Sequence, residues 1–366
     1  MKGKQGLVCM GLLLVLSSCH TGKQITASGL QRKDFQTEVN GQHTDLFTLS
    51  NKQGMEVCIT NYGARVVSIL VPDRNGKRED VVCGFSTITE YMEQRQNFGS
   101  TVGRYIGRIL NARFTLDGVE YKLVPNNGKS GHISHGGNPG FADRIWKVEQ
   151  ADTHRVRLSY LSPDGENGFP GNLKVTLVYS LGEDDNALDL TYEATTDAPT
   201  VLNLSHHSFF NISGNFTKSV EDQQLWVDAD RFTPYDDKKC VTGEYLPVAG
   251  TPLDFRMPHT IGECIDADHP QLKVVNGYDH TWELNTKGDD TRPAAWVYDP
   301  ASGRKMEIFT TEPGMQIYTG NGLKGKMTGK GGIAYPFRSA VCFETMHFQD
   351  SPNQPGFPST VLLSLI

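Results

Sequence analysis

Leu173-Lys174-Val175-Thr176-Leu177-Val178-Tyr179-Ser180-Leu181 carries an apolar side chain at every odd position, with Lys174, Thr176 and Ser180 standing opposite. A period of two places one row on each face of a strand, so this segment reads as a strand half-buried in a sheet. The same comb recurs nearby. Val156, Leu158 and Tyr160 alternate with Arg155, Arg157 and Ser159, and Leu188, Leu190 and Tyr192 form a third row. Turn signals separate such runs: Arg74-Asn75-Gly76, Asp117-Gly118 and Gly182-Glu183-Asp184. Helical periodicity is nearly absent, and only Ile88 to Gln94 has room for one or two turns. Thirty-eight glycines and eighteen prolines suit many short strands joined by turns. The class is all-β. For 366 residues a large antiparallel β-sandwich is the natural solution, and we expect it to span residues 35–366 as a single domain.

The formal net charge is −7, and no stripe of Arg and Lys with interleaved aromatics stands out, which argues against a nucleic-acid partner. The N-terminus reads as a secretory leader. Lys2 and Lys4 precede the apolar run Leu7 to Leu16, which is shorter than the roughly 20 residues a membrane span needs. It closes on Leu16-Ser17-Ser18-Cys19, which resembles a bacterial lipobox. We therefore expect residues 1–18 to be a lipoprotein signal peptide, Cys19 to be lipidated, and residues 19–34 to tether the domain. The membrane would be met through that lipid alone, in the cell envelope, on the periplasmic or outer-membrane side. Beyond Cys9 and Cys19 the chain has Cys58, Cys83, Cys240, Cys264 and Cys342, widely spaced and without CxxC. That leaves room for one disulfide but not for a dense framework, and most of the five read as small buried apolar residues.

Four segments offer chemistry. In Val341-Cys342-Phe343-Glu344-Thr345-Met346, a strand would put Glu344 in one row with Cys342 and Met346. A carboxylate in an apolar row is costly unless paired, and catalysis is one reason to keep it there. The alternatives are burial of the other face or a structural pairing with an arginine. In Leu204-Ser205-His206-His207-Ser208-Phe209, the adjacent histidines point to opposite faces, so they form no chelate. His207 shares a face with Asn203, Ser205 and Phe209; pattern alone does not choose between His207 and His206. His132-Ile133-Ser134-His135-Gly136-Gly137 is a glycine-flanked loop able to approach a ligand closely. Its HxxH spacing lacks the helix that would align a zinc pair, so no metal is expected. Gly277-Tyr278-Asp279-His280-Thr281-Trp282 sets a carboxylate beside aromatic rings, which suits sugar hydroxyls and the apolar face of a pyranose, or equally a capped strand end.

In their order along the chain, several short segments resemble the aldose 1-epimerase (galactose mutarotase) family. They are Asn61-Tyr62-Gly63-Ala64, Phe98-Gly99-Ser100-Thr101-Val102-Gly103-Arg104 through Arg108-Ile109, His135-Gly136-Gly137, Asp164-Gly165-Glu166-Asn167-Gly168-Phe169-Pro170-Gly171, Asn203 through Asn211, Gly277-Tyr278-Asp279-His280, Thr311-Glu312-Pro313-Gly314-Met315-Gln316-Ile317-Tyr318-Thr319-Gly320-Asn321, and Glu344-Thr345 with Asp350-Ser351-Pro352-Asn353. The resemblance implies the galactose mutarotase-like supersandwich, in agreement with the alternation. It implies His207 as general acid, Glu344 as general base, and Arg108, His135, Asp279 and Gln316 as ligands of a free aldose such as glucose or galactose, with no cofactor. We further expect a monomer or weak dimer, and a neighbouring carboxylate that keeps the His207 imidazole charged. Gly107 stands where the family often has Asn, Met346 where it often has Gln, and the His132–His135 loop looks slightly longer than usual. Two other classes compete. A sugar-binding lipoprotein serving transport would keep Arg108 and Asp279 but need no acid and base together. An epimerase of sugar phosphates, or a lyase-like enzyme on the same sandwich, would for a phosphate want extra Arg or Lys among the sugar motifs.

Overall fold

Leu173–Leu181 forms a nine-residue strand paired antiparallel with Arg155–Ser162 on one side and Leu188–Thr196 on the other. Leu173, Val175, Leu177 and Tyr179 are fully buried, as the alternation requires. Each such side chain contributes about 1.5–3 kcal/mol on burial, so a one-residue slip that turned the row outwards is strongly disfavoured. With Lys147–Ala151 these strands make a four-stranded sheet. It packs face to face on a second one, built from Leu46–Ser50, Glu56–Thr60, Arg65–Pro72 and Arg78–Asp80, through Leu49, Val57, Ile59, Val66 and Ile69. The computed structural model describes residues 24–364.

A second pair of sheets carries the site. Six strands lie in the spatial order Phe209–Phe210, Val341–Met346, Gly314–Tyr318, Asp279–Glu283, Arg231–Thr233, Leu246–Pro247. One face of this sheet sends Phe343, Met315, Ile317, Trp282 and Phe232 against Leu225, Val227, Ala295 and Val297 of a four-stranded sheet. The two-residue period then forces Glu344, Gln316, Thr281 and Asp279 onto the opposite face. The fold is an all-β sandwich. Of the described residues, Ile88–Gln94 is helical, as expected, and is started by a capping box between Thr87 and Glu90. Pro270–Val275 is a second short helix, with proline in its first turn.

Two N-terminal expectations, the signal peptide over residues 1–18 and lipidation at Cys19, lie outside the described residues, as does the first part of the segment 19–34. From Gln24 onward that segment is not a free tether. Thr26 and Leu30 are buried, and the Glu56 carboxylate accepts hydrogen bonds from the backbone N–H groups of Ala27 and Ser28. A buried leucine and a satisfied turn hold it to the sandwich, which polar composition alone does not show. Cys58, Cys83, Cys240, Cys264 and Cys342 are all free thiols, the first two and Cys342 buried.

Candidate active site

Strand register builds one wall. Gln316 stands directly opposite Glu344 on one side and Thr281 on the other, so three polar side chains form a row across three adjacent strands. Thr281 Oγ1 donates to Gln316 Oε1 at 2.5 Å, and Gln316 Nε2 donates to Asp279 Oδ1 at 2.6 Å. A carboxylate only accepts, so Asp279 fixes which end of the Gln316 amide faces it. Glu344 is 3% exposed and Gln316 4%.

The facing wall comes from Ser205–His207, paired with Ser100–Val102. The backbone C=O of His207 accepts from the N–H of Gly99, whose own C=O accepts from Val66. Gly99 has φ +65°, and a Cβ there would sit 1.8 Å from the Val66 carbonyl oxygen, so only glycine fits. His207 thereby reaches the cleft with Nε2 3.4 Å from Glu344 Oε1. Its ring stacks on Phe209 at 5.1 Å between centroids, and the edge of His135 meets it at 5.6 Å.

His206 points the other way, as strand parity requires. Its Nε2 meets Ser208 Oγ at 2.7 Å and its Nδ1 faces the Tyr179 hydroxyl, which itself donates to the Ala64 carbonyl. Burial, reinforced by the charge of Arg65, lowers its pKa to about 3. His206 is therefore a neutral, half-buried residue on the far side of the strand and His207 the one that lines the cleft, a choice the sequence pattern alone leaves open.

The cleft has a volume of about 270 Å³, near the lower end for small-molecule sites and suited to one sugar ring. Arg108, His135, His207, Asp279, Gln316 and Glu344 all line it. Arg108 enters on the short strand Arg108–Ile109, paired with Ile133–Ser134, and this pairing also sets His135 beside it. His135 Nδ1 accepts from the Gly107 N–H, and burial followed by Arg108 lowers its pKa to about 4, so the ring is neutral. Burial raises the Asp279 carboxyl, while Arg108 and Gln316 work against that.

Charge is scarce in this interior. Burial first, and then His135, pushes His207 well below the ordinary histidine value, and its Nδ1 has no hydrogen-bond partner. Burial first, and then Asp279, pushes Glu344 well above the ordinary carboxylate range. The expectation of a charged imidazole held by a neighbouring carboxylate is thus not met in the free protein. Desolvation disfavours the charged form of each group and so works against an imidazolium–carboxylate pair in this cleft.

Among the described residues, His207, Cys342 and Glu344 are close enough to hold an ion, their ligand atoms lying within 4.8 Å of one another. His132, half of the HxxH spacing, is engaged otherwise: its Nδ1 accepts from the Asn111 N–H and its Nε2 lies 3.3 Å from Cys240 Sγ. Gln96, Asn97 and Gln349, which lie outside every motif named above, also line the cleft, as does Tyr318, which lies within one but is given no role by it. The first two and Gln349 lie outside the strands, where periodicity gives no signal.

Comparison with known proteins gives one answer. Residues 45–364 match the family model described as aldose 1-epimerase. Galactose mutarotase of Sus scrofa is 39% identical over 316 residues, covering 86% of this chain and 89% of that protein. Aldose 1-epimerase of Escherichia coli K12 is 35% identical over 319 residues, covering 87% and 90%. The crystal structure of an aldose epimerase homologue from C. elegans superposes with a TM-score of 0.80 at 30% identity, covering 88% of this chain and 95% of that one. That of galactose 1-epimerase from Lactobacillus acidophilus gives 0.77 at 28% identity, covering 90% and 93%.

Proposed function

The chain belongs to the aldose 1-epimerase family, and on that premise we propose that His207 and Glu344 carry out its reaction as an acid–base pair. It is an isomerase that interconverts the α and β anomers of free aldoses. The observation that carries the proposal is the 3.4 Å approach of His207 Nε2 to Glu344 Oε1 in a buried cleft lined by Arg108, His135, Asp279 and Gln316.

Mutarotation breaks and remakes the bond between C1 and the ring oxygen. A proton must leave the C1 hydroxyl while another reaches the ring oxygen. In the reactive state Glu344 is a carboxylate and His207 an imidazolium. Glu344 takes the C1 hydroxyl proton and His207 gives its own to the ring oxygen, so the open-chain aldehyde forms beside a carboxylic acid and a neutral imidazole. That is the state burial favours in this cleft, so ring opening removes two opposite charges from a poorly solvated site. After rotation about C1–C2 the protons return and the other anomer closes. The proton count is unchanged over the cycle, and no cofactor enters it. Each positioned group is worth about 10²–10⁴-fold in rate.

Arg108, His135, Asp279 and Gln316 are assigned to the sugar hydroxyls. Asp279 and Gln316 form one acceptor–donor unit, and Arg108 brings the cation. For location we propose a lipid anchor at Cys19 in the cell envelope, supported by the basic, apolar and Leu-Ser-Ser-Cys order of the first nineteen residues. The protein would act there as a monomer or weak dimer, with no nucleic-acid partner. Polarimetry on freshly dissolved α-glucose, α-galactose and α-xylose tests the activity. Activity confined to 6-phosphates, or sugar binding without acceleration, would favour the competing readings. A Cys19→Ala variant that still partitions with membranes would contradict the anchor.

A further inference from the structure

Gly107 and Gln349 share one space. Gly107 has φ +75°, and a Cβ on it would lie 2.6 Å from Gln349 Cγ. The Gln349 side chain thus fills the space above the glycine, is 5% exposed, and lines the cleft.

Hydrogen bonding fixes how its amide is turned. Asp279 accepts only, so Gln316 Nε2 faces it and Gln316 Oε1 faces away, towards Thr281 and Gln349. An amide oxygen accepts only, so Gln349 must turn its Nε2 to Gln316 Oε1, at 3.4 Å, and the same nitrogen donates to the Tyr235 hydroxyl at 2.7 Å. The chain Asp279–Gln316–Gln349 leaves Gln349 Oε1 as the free end. No partner among the described residues reaches this oxygen, and it is not one of the side-chain atoms closed off from solvent without a bond. An acceptor held this way on a cleft wall is matched by a hydroxyl donor.

We propose that Gln349 is a sugar-binding residue, its carbonyl oxygen accepting from one ring hydroxyl of the bound aldose, and that glycine at 107 is what admits it. The inference rests on the aldose reading of this cleft. It adds a specificity-setting contact and ties it to the charged Asp279 through one intervening amide.

The test reads sugar affinity and catalysis separately, with Kd from titration of intrinsic fluorescence and kcat and KM from polarimetry. Gln349→Met keeps the volume and removes the amide. Kd and KM rise about 3–10-fold while kcat stays within about twofold, the loss of one neutral hydrogen bond. In a series of monodeoxyglucoses, one sugar costs the wild type a similar factor and loses nothing further in Gln349→Met. Gly107→Asn is the substitution that φ +75° tolerates best. It displaces Gln349 and weakens binding alone, yet costs little when added to Gln349→Ala. An unchanged Kd in Gln349→Met, a loss equal for every deoxy sugar, or additive costs in the Gly107→Asn, Gln349→Ala double variant would overturn the proposal. Wild-type protein that binds the sugars through Gln349 but does not accelerate mutarotation would sink the epimerase assignment and leave this one standing.

Discussion

Gln316 and Glu344 face each other directly across adjacent antiparallel strands, and Thr281 continues the row on the next strand. Backbone register therefore sets the base and its polar neighbours at strand spacing, while Asp279 pins the amide between them. The consequences are specific.

Asp279→Asn replaces the charged acceptor of Gln316 Nε2 with a neutral one that can turn either way. Hydrogen bonds to charged groups are worth about 1.5–3 kcal/mol, so KM should rise roughly 10–100-fold with kcat largely kept. Steady-state polarimetry on glucose and galactose measures both. A fall in kcat at unchanged KM would place Asp279 in the chemistry instead of in sugar binding.

The catalytic pair works with one proton shared between its two groups. A second proton, giving imidazolium beside carboxylic acid, is opposed by burial and by His135. The acid limb of kcat is therefore expected below pH 6.5, the ordinary histidine value. Loss of the shared proton is likewise displaced above the ordinary carboxylate range, because burial and Asp279 raise Glu344. An acid-limb midpoint at pH 6.5 or higher would contradict this placement.

His206 links stability to pH. Its folded pKa of about 3 lies below the ordinary 6.5, so the unfolded chain takes up the proton first. Its stabilising effect is complete above pH 6.5 and is lost as pH falls towards 3. Between pH 6.5 and 5.5 this residue alone should account for about 1 kcal/mol of lost stability. Urea unfolding at the two pH values measures it. His206→Asn should show a shallower decline whatever its absolute stability, and an equal decline would show that His206 is not the group responsible.

Gly99→Ala asks for a Cβ 1.8 Å from the Val66 carbonyl oxygen at a positive φ. The strand pair must shift, and with it the bond from Gly99 N–H to the His207 carbonyl. We expect a loss of about 3 kcal/mol or more, visible in thermal unfolding. A variant with unchanged Tm and rate would mean that this contact does not position His207.

Much of this was legible in the sequence because a strand has the simplest of periods. The comb at Leu173–Leu181 gave its own buried face, and parity put Glu344 in one row with Cys342 and Met346, as the sheet has it. The same parity separated His206 from His207 but could not say which faced the cleft, since that depends on which side the neighbouring sheet covers. Only the ordered motifs of the resemblance supplied that choice. Gln349 was not legible, because it follows the end of its strand and reaches the cleft only where Gly107 leaves room. The ionisation of the pair is illegible for a related reason: the resemblance implies a carboxylate beside His207, but desolvation depends on burial in the finished fold.

The most direct test is the polarimetric rate on freshly dissolved α-glucose for wild type, Glu344→Gln and His207→Ala, with folding of each checked by thermal unfolding. The acid–base account predicts that each folded variant loses about 10²–10⁴-fold in kcat, and that the double variant loses little more than the worse single one, because the two groups act as a unit. Full mutarotation rates in both single variants would contradict it.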